Sequence, residues 1–259
     1  MGLASFAAHA SISISNGSQV YTQNFDTLAT TGTTNTWSND STLSGWNLFN
    51  KANAAITSYT ADTGALNTGN FYSYGATGSS DRALGGLASS GVYFGSPASG
   101  ALAGWIAANF TNNSGQILNG FSLSFVGEQW RNGGNATSQS MVMEYGFGSS
   151  FTTVSTWNTT VSSFSWASPV ATLTAAAVDG NVAGLVSGIG GTIATNWNAN
   201  DTLWLRWIEN NDTGNDHGLA IDNISFTSGT VVSAVPVPGA IWLFGSALLG
   251  MIGFKRRKV

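Results

Sequence analysis

The sequence contains no cysteine, which excludes disulfide bridges and thiolate metal centres and leaves the compartment to be read from other features. Charge is nearly as scarce. Asp, Glu, Lys and Arg together make up 8% of the chain, against about 25% in an average globular protein, and Gly, Ser, Thr and Asn take their place. There is no Gly-x-Ser-x-Gly elbow, no His-Glu-x-x-His pair and no phosphate-binding loop, so triad hydrolysis, zinc-protease chemistry and nucleotide chemistry lack their usual signatures. No Lys/Arg-rich stripe precedes the last five residues. Nucleic-acid binding, which needs a cationic footprint, is therefore not expected.

What is present is aromatic. Ten Trp, fourteen Phe and six Tyr separate the chain from disordered sequences, which are poor in such residues. With few helix formers, many Thr and Ser, and short alternating runs joined by polar turns, the class is all-β. A chain of 259 residues can bury a full core as one domain. All twelve acidic residues lie before position 223, whereas four of the eight basic ones are Lys255, Arg256, Arg257 and Lys258. Four basic against twelve acidic groups leave the body at −8.

Alternation of apolar and polar residues marks strands at 121–125, 141–147, 203–207 and 219–226. Between the first two, Asn132-Gly133-Gly134 supplies the positive φ angles of a hairpin, so adjacent antiparallel strands are expected there. Further runs near 20–25, 45–49, 56–60, 102–110, 161–166 and 182–189 bring the count to roughly ten strands, enough for two stacked sheets. The expected architecture is a jelly-roll β-sandwich over residues 11–228, with a short linker at 229–235.

Both ends carry targeting signals. Residues 1–10 form a small apolar stretch whose Ala8-His9-Ala10 fits the A-x-A cleavage pattern, so they are expected to be the remnant of a signal peptide. Residues 238–254 hold no charge, and seventeen helical residues rise about 25 Å, the lower end of what crosses a bilayer core. The basic cluster Lys255-Arg256-Arg257-Lys258 behind it would stay cytoplasmic by the positive-inside rule, leaving the acidic body outside. A single C-terminal transmembrane helix is expected.

The order of Val235-Pro236-Val237-Pro238, a span containing Trp242-Leu243-Phe244-Gly245 and a basic tail resembles the PEP-CTERM sorting signal in its Val-Pro-x-Pro variant. The resemblance covers about 25 residues at 236–259 and just before, and Val237 stands where the name-giving motif has Glu. It implies processing near the proline motif by an exosortase-type enzyme in a Gram-negative bacterium, with delivery to the cell surface or the exopolysaccharide matrix.

Within the body, the densest polar stretch, 210–218, places Asp212, Asn215 and Asp216 in one tight loop. Oxygen-rich loops can ligate Ca²⁺, but EF-hand spacing is absent, and turn residues bonding their own backbone account equally for the composition. Asp222 differs, because it interrupts an apolar strand and needs a partner if it is buried. Phe25-Asp26 and Ala220-Ile221-Asp222-Asn223-Ile224 resemble the first and last strands of extracellular jelly-roll modules such as MAM domains and carbohydrate-binding modules. That resemblance implies a structural Ca²⁺ held by Asp26 and Asp222 with backbone carbonyls. The motifs around Gly127–Asn135, Trp204–Trp207 and the 210–218 loop also resemble an uncharacterised module of bacterial secreted proteins.

Glu128, Arg131, Arg206 and His217 are among the few titratable groups, and a charge-assisted polar network beside the core is their expected role. Glu128 and Glu144 could form the acid and base of a glycosidase, since two carboxylates suffice, though any β domain with two glutamates meets that requirement. Trp37 and Trp197, each flanked by Asn, are candidate glycan contacts, with core packing as the alternative. The sequence as a whole points to a non-enzymatic surface or matrix protein associating with extracellular polysaccharide, with a lectin-like module and then a glycan-active enzyme as competing readings.

Overall fold

The computed structural model describes residues 11–231, of which 48% lie in strands and 4% in short 3-10 helices, so the fold is all-β. Period-two alternation becomes strand where it is longest. In Thr202–Asn211, the side chains of Leu203, Leu205 and Trp207 join the main core, while Trp204, Arg206 and Ile208 point the other way.

Two large sheets form. The first has six strands: β1 (Ile12–Ile14), β4 (Trp46–Asn50), β8 (Ala101–Asn112), β11 (Met143–Phe147), β12 (Asn158–Thr159) and β16 (Thr202–Asn211). The second has nine: β2 (Val20–Gln23), β3 (Asn35–Thr36), β5 (Ser58–Asp62), β6 (Asn70–Tyr74), β7 (Ala83–Leu87), β9 (Leu118–Asn132), β14 (Ala176–Ala177), β15 (Leu185–Trp197) and β17 (Gly218–Ser228). A two-stranded ribbon, β10 (Ser140–Met141) with β13 (Trp166–Ala167), completes the described strands.

The sheets pack as a sandwich. Phe110 of β8 stacks on Phe226 of β17 at 4.0 Å, and Phe125 of β9 meets Trp207 of β16 edge-on at 5.7 Å. Each fully buried side chain of this kind contributes about 1.5–3 kcal/mol, so these cross-sheet rings hold the layers together.

β17 is the central strand of the site described below. Leu219 and Ile221 face the core, and strict alternation would send Asn223 there as well. Instead Asn223 takes a positive φ of 51° and the register against β9 slips between Asp222 and Ser225. The bulge absorbs one residue, so that Ile224 and Phe226 return to the core and Asn223 is left exposed.

The hairpin expected at Asn132-Gly133-Gly134 is not formed. β9 pairs with β14, β15 and β17, whereas β11 pairs with β12 and β16 in the other sheet. The positive φ is real, 86° at Gly134, but it turns the chain across the end of the sandwich. Asn132 fixes that exit by donating its amide to the carbonyls of Thr172 and Thr174 at 3.1 and 2.8 Å.

Among the described residues no helix is long and apolar enough to cross a membrane. The expected membrane segment, the sorting motif Val235-Pro236-Val237-Pro238, the basic cluster Lys255-Arg256-Arg257-Lys258 and the signal remnant all lie outside the described residues.

Candidate functional site

Strand register decides which loops meet at one end of the nine-stranded sheet. Leu219 of β17 lies opposite Gly86 of β7, and Gly218 lies opposite Arg131 of β9. Asn70 of β6 lies opposite Leu87. The segments running on from these pairs, residues 67–69, 88–90, 131–133 and 211–217, therefore emerge side by side. Gly133 is part of the reason they close: a Cβ there would lie 2.1 Å from the Asp216 carbonyl oxygen.

Between these segments lies a cavity of about 320 Å³, lined among others by Asn67, Ser89, Ser90, Arg131, Asn215 and Asp216. Ligand pockets run from about 300 to 1,000 Å³, so this one suits a small ligand. Its walls are unusually polar for such a pocket. The loop between β16 and β17 is held by its own turn chemistry, with the Asp212 N–H donating to Asp216 Oδ1 at 2.7 Å. Gln139 and Asn135 donate their side-chain amides to the Asn215 carbonyl at 2.8 and 3.2 Å. The side chains of Asn67, Ser90 and Asn215 are exposed and make no hydrogen bond among the described residues.

Arg131 gives the cavity its cation. Its Nη1 donates to the carbonyls of Gly64 and Ala65, both at 3.0 Å, while Nε is buried without a partner and Nη2 bonds no protein group among the described residues. Burial pushes the Asp216 carboxyl up to about 7, the nearby Asp212 carboxylate adding to the shift. Deeper in, Glu209 is buried with Oε1 unpartnered, and desolvation, then Asp216 and Asp212, push its proton affinity well above the usual carboxylate range.

A second polar region lies on the outer face of the nine-stranded sheet. Asp222 is 1% exposed and its Oδ1 has no partner. Burial pushes its carboxyl up to about 8, helped by Glu128, Asp81 and Asp26. Glu128, also buried, accepts the Trp130 indole N–H at 2.8 Å and is pushed up to about 7, again mainly by burial. Asp26 accepts from the Arg82 backbone N–H at 3.1 Å and from the Asn24 amide at 2.6 Å. For the Ca²⁺ implied by resemblance, the unpartnered Asp222 oxygen and the acids around it fit a hard cation with oxygen ligands. Among the described residues no group of three or more His, Cys, Asp or Glu is arranged to hold a metal ion, so backbone carbonyls would complete any such site.

The remaining expected residues are placed apart. Arg206 pairs with Glu144 through Nε and Nη2 at 2.7 and 2.5 Å on the outer face of the six-stranded sheet, where its guanidinium lies 3.9 Å from the Trp157 ring centroid. His217 is structural: Nε2 donates to the Asn135 carbonyl at 3.1 Å, and Nδ1 accepts from the Ser168 hydroxyl and the Gln129 amide at 2.9 and 3.2 Å. Burial lowers its pKa. Glu128, Arg131, Arg206 and His217 thus hold separate partners and do not form one network. Trp37 and Trp197 are 2% and 0% exposed, so neither offers a ring face to a glycan. Their indole N–H groups are bound by Asn39 Oδ1 and the Asp201 carbonyl, and the flanking Asn residues serve turns.

Sequence reasoning singled out the 210–218 loop and Arg131 but not Asn67, Ser89 or Ser90, which sit in short Ser/Gly/Asn stretches that look like any turn. No protein-family model matches this chain, and no curated protein matches it either.

Proposed function

We propose that this chain is an exported envelope protein of a Gram-negative bacterium whose jelly-roll sandwich binds extracellular polysaccharide at the loop-end cavity without altering it. The observation that carries this reading is the convergence of unpartnered amides and hydroxyls on a cavity of about 320 Å³. Such groups replace water around sugar hydroxyls, and little charge has to be desolvated. In this proposal an exosortase-type enzyme sorts the protein through 236–259, reading Val235-Pro236-Val237-Pro238, with one membrane helix over 238–254 and Lys255 to Lys258 on the cytoplasmic side.

A non-enzymatic role is supported by where the two candidate glutamates lie. Glu128 is in β9 beside Trp130, and Glu144 is in β11 beside Arg206, in different sheets and each on the side away from the shared core. Two carboxyls of a glycosidase must flank one bond, about 5–10 Å apart. A structural Ca²⁺ held by Asp26 and Asp222 is part of the proposal, its role being to tie the start of the body to β17.

Affinity electrophoresis of the full chain in detergent, through gels cast with individual bacterial exopolysaccharides, tests the binding. Retardation by at least one polysaccharide, lost on Ser90→Trp, is the expected result. Unretarded migration in every gel would remove the reading.

A further inference from the structure

We infer that the loop-end cavity selects an acidic sugar, a hexuronate or an equally anionic ring, whose carboxylate is held by Arg131. This rests on the reading that the cavity takes a glycan, and it adds the chemical class.

The case begins with the cations. The described body has four: Lys51, Arg82, Arg131 and Arg206. Arg206 is paired with Glu144. Arg82 is 2% exposed and spends its guanidinium on Ser73 and the Asp62 carbonyl. Lys51 donates to the Ser96 carbonyl away from the cavity. Arg131 alone lines it. No carboxylate lies within ion-pair distance of Arg131 among the described residues, and the only hydrogen bonds of its guanidinium there go to two backbone carbonyls through Nη1.

That arrangement holds the guanidinium in place, encloses Nε, and leaves Nη2 as the accessible nitrogen without a protein acceptor among the described residues. Nη2 can donate a charge-assisted hydrogen bond to a ligand carboxylate. A structural arginine would normally have a carboxylate partner or use more of its donors. Uncharged Asn67, Ser90 and Asn215 around it match ring hydroxyls.

The acid in the wall, Asp216, sets the condition for binding. It faces Asp212 through the bond from that residue's N–H, Glu209 lies within electrostatic reach, Arg131 lines the same cavity, and the adjacent His217 has its pKa lowered by burial. Its carboxyl titrates at about 7, so below that pH it carries a proton and does not repel an anion. Anion binding is then strongest below pH 7 and weakens as the pH rises through it.

Titration calorimetry of the full chain in detergent, with oligogalacturonate and its methyl ester as probes, tests this. The ester keeps the ring and hydroxyls and removes the charge. Expected are binding of the acid at least about tenfold tighter than the ester at pH 5.5, as a charge-assisted pair supplies, and loss of that preference in Arg131→Gln. Because Arg131 also holds the 64–65 turn, Asp216→Asn provides a variant that leaves Arg131 untouched; it should bind the acid equally at pH 5.5 and 8.5. Equal affinity for acid and ester, or an Asp216→Asn variant that keeps the full wild-type pH dependence, would overturn the acidic-sugar inference while glycan binding stands. Binding of neither probe, together with no retardation by any exopolysaccharide, would remove the glycan reading itself.

Discussion

Asp222 sits in a central strand, buried, with one carboxylate oxygen unpartnered and Glu128, Asp81 and Asp26 all favouring its protonated form. An unfolded Asp titrates near 3.8, whereas here the carboxyl titrates at about 8. A raised carboxyl pKa means that the unfolded state loses its proton first, so the contribution to stability is full below about pH 4 and is lost as pH rises to about 8. Glu128, at about 7, acts in the same direction. Without calcium, the melting temperature should therefore fall between pH 5 and pH 8.5, and Asp222→Asn should melt at least about 2 °C above the parent at pH 8.5. Added CaCl₂ should raise the parent's melting temperature at pH 8.5, where the carboxylates are ionised, and leave Asp222→Asn unmoved. Thermal scans in EDTA and in calcium check both. If EDTA and calcium give the same curve at pH 8.5, the proposed Asp26 and Asp222 calcium site fails.

At the scale of elements, β6 and β7 show where local pattern ran out. The stretch Ala83-Leu-Gly-Gly-Leu87 resembles a turn because of its glycines, yet it is a fully buried strand between β6 and β17. Gly85 is there for space: a Cβ would lie 2.2 Å from the Leu219 carbonyl oxygen and 2.5 Å from the Ala220 Cβ. Neither obstacle is a flexible side-chain tip, so Gly85→Ala should cost roughly 1–3 kcal/mol in unfolding free energy. Denaturant titration measures it; a variant as stable as the parent would mean that the β7–β17 approach is not this close. By contrast β16 and β17 were readable, since Leu203, Leu205 and Trp207 and then Leu219 and Ile221 alternate without a glycine. The Asn132-Gly133-Gly134 turn misled because positive φ fixes a change of direction and not the strand that the chain turns toward.

At the scale of the whole molecule, the sandwich could be expected from aromatic content and alternation, but the cavity could not. Asn67, Ser90, Arg131 and Asn215 are brought together by the register of β6, β7, β9 and β17, strands that run from residue 70 to residue 228. Composition did foreshadow its chemistry, because a chain with so few charges and so many amides and hydroxyls has polar, uncharged loops to offer. The tryptophans pointed the other way: flanking Asn made Trp37 and Trp197 look like surface platforms, yet both anchor the core. The claim that the rim cavity is where glycan sits is tested most directly by a crystal structure of the protein with a polysaccharide fragment that it binds in solution. Sugar density between Ser90 and Asn215, with its acidic group toward Arg131, is the expected result. Density on the Trp157–Arg206 face, or anywhere else with the cavity holding only water, would contradict it.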